Sequence, residues 1–241
     1  NTTKKEICEQ LPDIMATLRK KSFEYILDSS LKNFLPDIPG EYFCKEEELG
    51  SRSDILVAIG GDGTVLSAAL IGHTHDKPLV GINFGKLGFL ADVDIKSLDS
   101  FLLELKEGKY FIEERMVLQA DSSKEDRLLG VAFNDFVIDK GSWTKMIDLE
   151  LYVDEEYVTT FPADGVVFAT PTGSTGYSLS AGGPIVTPKA EVIAISPISP
   201  HSLTTSPLIL SPKQKVTVKA YSQFNTIQFN ADGQRVEEMA S

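Results

Sequence analysis

The sequence predicts two domains of different class, an α/β domain followed by a mostly β domain. The first third alternates segments of helical periodicity with short apolar runs, which is typical of an open α/β sheet. From Arg115 onward, short runs follow one another, many of them rich in β-branched residues, and few helices fit between them. We therefore expect an open α/β (Rossmann-like) domain over residues 1–94 and a β-rich domain over residues 95–241.

The elements expected up to residue 108 follow from apolar spacing and from glycine and proline positions. They are a helix that includes Ile7–Leu18, a short strand at Phe23–Leu27, a strand at Ile55–Ile59, a helix from Val65 to about Ile71, a strand at Pro78–Asn83 and a helix at Leu98–Lys106. Residues 33–50 are polar, acidic and proline-bearing, so we expect a surface connection there.

The second domain is predicted from short, strand-like runs that are mostly separated by polar, proline or glycine residues. These runs are Val117–Asp121, Gly130–Asp139, Ile147–Val153, Tyr157–Thr160, Gly165–Ala169, Val192–Ile195, Leu208–Leu210, Lys215–Lys219 and Thr226–Asn230.

Composition narrows the functional classes before any motif is considered. Apolar residues make up 42% and charged residues 24% of the 241 residues, as in ordinary globular proteins. The net charge of −12 argues against a nucleic-acid surface and against binding to anionic membranes. The two cysteines have no metal-ligand spacing and no signal peptide or membrane-spanning run is found, so we expect a cytoplasmic protein.

The most informative segment is Asp54–Thr64, DILVAIGGDGT. An apolar strand there ends in three glycines around Asp62, directly before a predicted helix. Glycines allow a ligand to approach bare backbone amides, and a helix N-terminus favours anions. A phosphate-bearing substrate fits this turn. The carboxylate of Asp62 would repel that phosphate, unless Asp62 acts as a base or binds a metal ion between them. A plain helix N-cap is the structural alternative.

A second glycine-rich segment is Ala163–Pro184, in which Gly165–Ala169 is a predicted strand. The turn after it carries many hydroxyl groups between glycines, which can donate to and accept from a polar ligand such as a purine and its ribose. Tyr177 could stack on a base. A polar surface loop is the alternative, although it leaves the density of small residues unexplained.

Taken in order, these motifs strongly resemble those of the NAD kinases. The resemblance runs from Asp54 to Gln234 and rests on GGDGT, Asn134–Asp135, ADG with TPTGSTGYSLSAGGP, SPISPHSL and DGQ. It implies transfer of the γ-phosphoryl of ATP, or of polyphosphate in some members, to the 2′-hydroxyl of the adenosine ribose of NAD⁺. Both chain ends look shorter than the family pattern.

The resemblance also implies a role for each matching residue. Asp62 would orient and deprotonate the hydroxyl, while Gly61, Gly63 and Thr64 would shape the phosphate pocket. The remaining substrate-binding residues would be Asn134 and Asp135 on the adenosine moiety, Thr175, Tyr177 and Ser180 on the adenine side, Asp164, Ser199 and Gly176 at the nicotinamide end, and Asp232 near the reacting ribose. Three departures are Pro162 for a basic residue, Asp135 for the commoner glutamate and Gly176 for alanine.

Phosphoryl transfer requires positioning, charge neutralisation and one acceptor for the hydroxyl proton. We expect Mg²⁺ or Mn²⁺ to arrive with the phosphoryl donor, and no residue is assigned as a metal ligand, because magnesium keeps several waters. The resemblance and the many short strands predict a homodimer or homotetramer. The alternatives are a lipid or sugar kinase that shares GGDG and an inactive NADP-binding sensor.

Overall fold

The computed structural model describes residues 5–84, 88–202 and 204–241, and the chain forms two compact units. The first unit comprises residues 1–113 and the second comprises residues 114–241. The sequence prediction placed the boundary earlier, after residue 94. The helix Leu98–Lys106 belongs to the first unit instead, because Leu98 and Leu102 are buried in its core.

The first unit combines helices with short parallel strands. Its helices are α1 (Lys5–Lys20), α2 (Glu46–Leu49), α3 (Asp62–His75) and α4 (Leu98–Lys106), and its strands are β1 (Leu27–Asp28), β2 (Phe43–Cys44), β3 (Leu56–Ile59), β4 (Leu79–Asn83) and β5 (Val93–Asp94). One parallel sheet has the strand order β3-β4-β5, and β1 pairs with β2 in a separate parallel pair.

Helix α3 connects β3 to β4 and packs closely on the sheet. Gly81 in β4 makes this possible, because a Cβ atom there would lie 2.8 Å from Cγ2 of Val65 and 2.9 Å from Cα of Ala91. A separate apolar cluster joins α1, the sheet and α4 through buried residues that include Leu11, Ile82 and Leu102. Since α3 starts directly after β3, its first turn lies at the carboxyl end of that strand.

Two expectations for the first unit differ from the structure. Of the predicted strand at Phe23–Leu27, only Leu27 is in a strand, because its pairing with β2 starts at Leu27 and Phe43. The expected surface connection at residues 33–50 contains β2 and α2, and it contributes the buried residues Leu35, Ile38 and Cys44.

The second unit is built almost entirely from antiparallel strands. These are β6 (Leu118–Ser122), β7 (Arg127–Ala132), β8 (Asp135–Asp139), β9 (Ile147–Val153), β10 (Glu156–Ala163), β11 (Gly165–Ala169), β12 (Ile193–Ile198), β13 (Leu208–Leu210), β14 (Val216–Tyr221), β15 (Thr226–Ala231) and β16 (Arg235–Ala240), with one short helix, α5 (Tyr177–Ser180).

These strands form a six-stranded sheet, β13-β12-β11-β8-β15-β16, a three-stranded sheet, β10-β9-β14, and the hairpin β6-β7. Alternate side chains of both larger sheets enter one core, in which the rings of Phe136 and Phe229 stack 5.1 Å apart. The opposite face of β8 carries Asp135, Val137 and Asp139. The expected fold class, α/β followed by a β-rich part, is confirmed.

Two strand predictions in this unit needed correction. The run Gly130–Asp139 is divided into β7 and β8 by Phe133 and Asn134, which lie in a bend. Strand β16 was missed because its sequence, RVEEMA, is half charged and has no apolar run. It is an edge strand, and only β15 pairs with it.

Across the three described ranges, no helix has both the length and the apolar character that crossing a membrane requires. Cys8 and Cys44 are buried and do not form a disulfide.

Candidate active site

Asp62 is the first residue of α3, and its carboxylate is held by two backbone amides from a later loop. Phe89 N donates to Oδ2 at 3.0 Å and Leu90 N donates to Oδ1 at 3.2 Å. Gly88 lies against the same carboxylate, since a Cβ atom on it would be 2.0 Å from Oδ1 of Asp62. Residues 85–87, which precede Gly88, lie outside the described residues. The amides fix the carboxylate and leave further lone pairs on its oxygens.

The other residues predicted for the phosphate pocket, Gly61, Gly63 and Thr64, lie directly before or within the first turn of α3. Gly61 precedes the helix with extended φ and ψ of −98° and −175°, and its carbonyl accepts from Thr64 N at 2.9 Å. Gly60 packs against the same threonine, because a Cβ atom there would lie 2.4 Å from Oγ1 of Thr64. Gly61, Gly63 and Thr64 therefore surround the helix N-terminus, where backbone amides favour an anion. Their phosphate contacts stay a prediction.

Asn134 and Asp135 lie where β7 ends and β8 begins, and the turn after β15 holds their backbone. The carboxylate of Asp232 accepts from Phe133 N at 2.9 Å, from Asn134 N at 2.7 Å and from Asp135 N at 3.3 Å. The amide of Asp232 in turn donates to the carbonyl of Asp135 at 2.9 Å. These bonds explain the break in the predicted strand, because they replace ladder pairing.

The side chain of Asn134 has an unsatisfied acceptor. Its Oδ1 atom is buried without a hydrogen-bond partner among the described residues, a state it shares there with Oδ1 of Asn230. Buried polar atoms are normally paired, so an orphaned acceptor indicates a missing donor from water or a ligand. Asn134 is therefore suited to accept a hydrogen bond from a bound molecule.

The turn between β11 and α5 packs directly on Asn134. Gly173 is required there, because a Cβ atom on it would lie 2.0 Å from the carbonyl oxygen of Asn134. The Thr170 hydroxyl donates to the carbonyl of Phe133 at 2.6 Å and accepts from Gly173 N at 3.0 Å. At Gly176, an added methyl would lie 3.2 Å from the carbonyl oxygen of Gly173 and 3.7 Å from Nδ2 of Asn134, so the first contact is tight and the second ordinary.

Some hydroxyls of this turn are used in hydrogen bonds within the protein, and others are accessible to a ligand. The buried Ser174 hydroxyl donates to the Pro171 carbonyl and accepts from Val186 N, and the buried Ser178 hydroxyl bonds that of Ser196 at 3.0 Å. Thr175 is half-buried, with a long bond to the carbonyl of Thr172, and Tyr177 and Ser180 are exposed. The three residues predicted for the adenine side thus lie on the accessible part of the turn.

Acidic groups set the electrostatics of this region. Burial, followed by the nearby charge of Asp232, raises the pKa of Asp135 from 3.8 to about 7. Partial burial, followed by the charges of Asp139, Asp164 and Asp135, raises the pKa of the Tyr177 phenol. The region therefore has a carboxyl group that changes charge near neutral pH beside an aromatic ring.

Asp164 lies directly before β11, and Ser199 lies directly after β12, the strand that pairs with β11. Asp164 forms an ion pair with Lys140 at 2.7 Å, and its amide donates to the carbonyl of Ile198 at 3.0 Å. Ser199 follows directly with a φ of +47° and is exposed. The second unit thus brings Asn134, Asp135, Gly176, Tyr177 and Asp164 into one region, whereas Asp62, Gly61, Gly63 and Thr64 lie together in the first unit.

Comparison with family models covers both units. The ATP-NAD kinase N-terminal domain matches residues 1–110, and the ATP-NAD kinase C-terminal domain matches residues 133–241. The chain belongs to the ATP-NAD kinase family. The resemblance found in the motifs is confirmed, and so is the assignment to the kinases.

Individual members of the ATP-NAD kinase family agree over nearly the whole chain. The NAD kinase of Desulforamulus reducens is 36% identical over 241 residues, which cover 97% of this chain and 81% of that protein. The NAD kinase of Moorella thermoacetica is 38% identical over 236 residues, which cover 98% of this chain and 75% of that protein.

Two solved structures of the family are also similar. Yeast NADH kinase complexed with NADH aligns with a TM-score of 0.85 at 28% identity, over 97% of this chain and 76% of that one. An NAD kinase from Archaeoglobus fulgidus in complex with ATP aligns with a TM-score of 0.69 at 29% identity. The alignment covers 90% of this chain and 85% of that one.

Several residues that shape this ATP-NAD kinase site were not assigned roles in the sequence analysis. Phe89 and Leu90 contribute only backbone amides, so their side chains carry no signal. Thr170 stands inside the recognised hydroxyl-rich motif and could have been singled out there. Lys140 and Arg235 pair with Asp164 and Asp232, and only a knowledge of which strands are neighbours reveals these pairs.

Proposed function

We propose that this chain transfers the γ-phosphoryl of ATP to the 2′-hydroxyl of the adenosine ribose of NAD⁺, giving NADP⁺. The observation that carries the proposal is the carboxylate of Asp62, fixed by the amides of Phe89 and Leu90 at the N-terminus of α3. A fixed carboxylate next to helix amides combines a proton acceptor with an anion-binding turn.

In this mechanism Asp62 orients the ribose hydroxyl and accepts its proton as the bond to phosphorus forms. An ordinary carboxylate is a sufficient base, because the hydroxyl becomes acidic only late in the reaction. The first turn of α3, around Gly61, Gly63 and Thr64, shapes the phosphate pocket. Positioning and charge neutralisation supply most of the rate enhancement in such reactions.

The second unit holds NAD⁺ in this proposal. The unpaired Oδ1 of Asn134 accepts from the adenosine moiety, Asp135 binds beside it, and Gly176 leaves room for the ligand. Thr175, Tyr177 and Ser180 contact the adenine side, Asp164 and Ser199 contact the nicotinamide end, and Asp232 lies near the reacting ribose. The accessible position of Tyr177 and the orphaned oxygen of Asn134 support this assignment.

A divalent cation, Mg²⁺ or Mn²⁺, enters the site with the donor. The described residues contain no group of three or more histidine, cysteine or acidic side chains that could hold a metal. Magnesium keeps several waters and binds phosphate oxygens, so such an ion would be held mainly by the donor, and Asp62 is the carboxylate that the phosphate turn offers. Such an ion neutralises charge on the phosphates of a donor bound to an acidic protein.

The assembly and the compartment complete the proposal. We expect a homodimer or homotetramer, supported by the open edges and exposed aromatic side chains of the β-rich unit, such as Tyr157 and Tyr221. In such an assembly Asp164 and Ser199 would lie near a subunit boundary. A cytoplasmic location without a nucleic-acid partner follows from the sequence expectations.

The deciding experiment is a coupled assay for NADP⁺ with purified protein, NAD⁺, ATP and magnesium. Parallel reactions replace NAD⁺ by NADH, by diacylglycerol or by a hexose, and replace ATP by polyphosphate. We expect phosphorylation of the dinucleotide and none of the lipid or sugar. Phosphorylation of a lipid or sugar alone would favour a different GGDG kinase. Binding of NADP⁺ without turnover would identify an inactive sensor.

A further inference from the structure

The turn between β15 and β16 is tied to the bend between β7 and β8 through one carboxylate, that of Asp232. We propose that Asp232 and Arg235 are positioning residues that hold Asn134 and Asp135 in the geometry that binds the adenosine moiety of NAD⁺. The inference rests on the function proposed above for this segment. In this role Asp232 affects NAD⁺ binding by holding the backbone of residues 133–135, and it does not contact the substrate itself.

Three consecutive amides converge on the carboxylate of Asp232, those of Phe133, Asn134 and Asp135. Successive N–H groups directed to one point form a concavity that binds an anion, and here a side chain of the same chain fills it. The amide of Asp232 closes the arrangement by donating to the carbonyl of Asp135. Asp232 has a φ of +56°, a conformation that aspartate tolerates better than most residues.

Arg235 connects this arrangement to β7. Its Nη2 donates to Oδ2 of Asp232 at 3.1 Å and to the carbonyl of Val131 at 2.5 Å. Gly130 lies beside it, since a Cβ atom there would be 3.4 Å from Nη1 of Arg235. A guanidinium can hold two acceptors in a fixed geometry, which the single ammonium of a lysine reproduces poorly.

The side chain of Asp232 has little capacity for a ligand. It is 4% exposed, and three amides and one guanidinium already donate to its two oxygens. The segment that it holds, in contrast, carries the orphaned Oδ1 of Asn134. Gly173 and Thr170 support that segment from the other side, so the bend is fixed between two loops.

Asp232 also sets the charge around Asp135. Asp232 from the β15–β16 turn is the charge that acts on Asp135, and Arg235 pairs with Asp232. The charges of Asp135, Asp139 and Asp164 act on Tyr177 from α5, and Asp164 is paired with Lys140. Removal of the Asp232 charge lowers the pKa of Asp135, because a like charge is lost while burial remains.

The test compares Asp232→Asn, Arg235→Gln and Arg235→Lys with the control Asp154→Asn. Asp154 is an exposed residue that shares two features with Asp232: it has a φ of +51°, and its carboxylate accepts from a backbone amide, that of Lys215, at 2.9 Å. It lies in the β9–β10 turn, outside the proposed site. The measurements are KM for NAD⁺ and for ATP, Kd for NAD⁺ by calorimetry, and the NMR shifts of the amides of residues 133–135 and of the Asp135 carboxyl carbon.

We expect Asp232→Asn to raise Kd and KM for NAD⁺ roughly 10- to 100-fold, the scale of hydrogen bonds to a charged group, with a change below about threefold for ATP. The three amide signals move and the Asp135 titration shifts to lower pH. Arg235→Gln weakens NAD⁺ binding and Arg235→Lys restores part of it. Asp154→Asn behaves as wild type.

Unchanged NAD⁺ binding and unchanged amide signals in Asp232→Asn would overturn the inference. An equal loss of NAD⁺ and ATP affinity, without a shift of the Asp135 titration, would also overturn it, as evidence of a structural tie only. If Asp232→Asn does not fold, the Arg235→Gln and Arg235→Lys pair decides by the affinities for NAD⁺ and ATP and by the amide signals of residues 133–135. A wild-type chain that binds no NAD⁺ contradicts the proposed function instead, and the amide and carboxyl signals still test the tie.

Discussion

Gly88 and Asp62 are in such close contact that a Cβ atom on Gly88 would lie 2.0 Å from Oδ1 of Asp62. The adjoining amides of Phe89 and Leu90 donate to the same carboxylate. A loop 27 residues further along the chain from Asp62 therefore determines the rotamer of the proposed base. The contact requires glycine for space, because no side chain fits between this backbone and the carboxylate.

Replacement of Gly88 by alanine should displace Asp62 without removing it. We expect turnover to fall by about 10²-fold, the loss typical of a reacting group misplaced by roughly 1 Å. The measurement is kcat in the coupled NADP⁺ assay, with circular dichroism to verify folding. Gly40→Ala is the matched control, because a Cβ atom at Gly40 meets only the ammonium of Lys32 at 4.0 Å. Equal activity in both variants would contradict the proposed positioning of Asp62.

Asp62→Asn should keep the size of the side chain and remove its proton acceptor. It also loses one of the two bonds from the Phe89 and Leu90 amides, because its NH2 group cannot accept a hydrogen bond. We expect kcat to fall roughly 10²- to 10⁴-fold, the usual range for general-base catalysis, with Kd for NAD⁺ little changed. The control is Asp76→Asn at the other end of α3, where the residue has a φ of +52° that asparagine also tolerates. Turnover of Asp62→Asn within a few-fold of wild type would exclude Asp62 as the base.

The sequence was most informative where apolar patterning alone determines the structure. Three strands have the predicted bounds, because their apolar runs coincide with their paired residues. They are Ile147–Val153, Gly165–Ala169 and Leu208–Leu210. The GGDGT segment likewise predicted a helix after an apolar strand, and α3 begins at Asp62, three residues before the predicted start at Val65. Fold class and family both followed from such local signals.

The remaining features depend on contacts between distant parts of the chain. The break at Phe133 and Asn134 depends on Asp232, about 100 residues later, which no local propensity encodes. Strand β16 forms at a sheet edge from a half-charged sequence. The contacts of the predicted site residues with substrates stay predictions, and the experiments described here test them.

Removal of divalent cations by a chelator should stop catalysis without destabilising the fold. We expect EDTA to abolish activity and excess Mg²⁺ or Mn²⁺ to restore it, because the acidic chain needs a cation to neutralise the donor phosphates. The thermal unfolding midpoint of the substrate-free protein should not move, since the described residues form no metal-binding group that could stabilise the fold. Full activity in chelator would contradict the role of the cation.

Stability should depend on pH through Asp135. Its pKa is raised from 3.8 to about 7, so the folded chain binds more protons than the unfolded chain between these values. The free energy of unfolding therefore falls as pH rises through this window, by at most about 1.4 kcal/mol per pH unit, and levels off above it.

Asp135→Asn should remove this dependence, which urea unfolding between pH 5 and pH 8 measures. We expect the variant to gain stability relative to wild type as pH rises, because the amide has no charge to bury. Asp154→Asn is the control, since the pKa of Asp154 is lowered rather than raised and its titration ends below this window. A wild-type slope that persists in Asp135→Asn would show that other groups cause it.

Tyr177→Ala should weaken NAD⁺ binding selectively. Tyr177 is 47% exposed on the accessible part of the turn after β11, and base stacking on an aromatic ring contributes roughly 1–3 kcal/mol. We expect calorimetry to show this loss for NAD⁺ and a smaller one for ATP, while Tyr177→Phe retains most of the affinity because the ring remains. Tyr110→Ala is a matched control, since Tyr110 is 52% exposed and has no role in the proposed site. Equal losses for NAD⁺ and ATP in Tyr177→Ala would mean that the ring supports the turn instead of binding adenine.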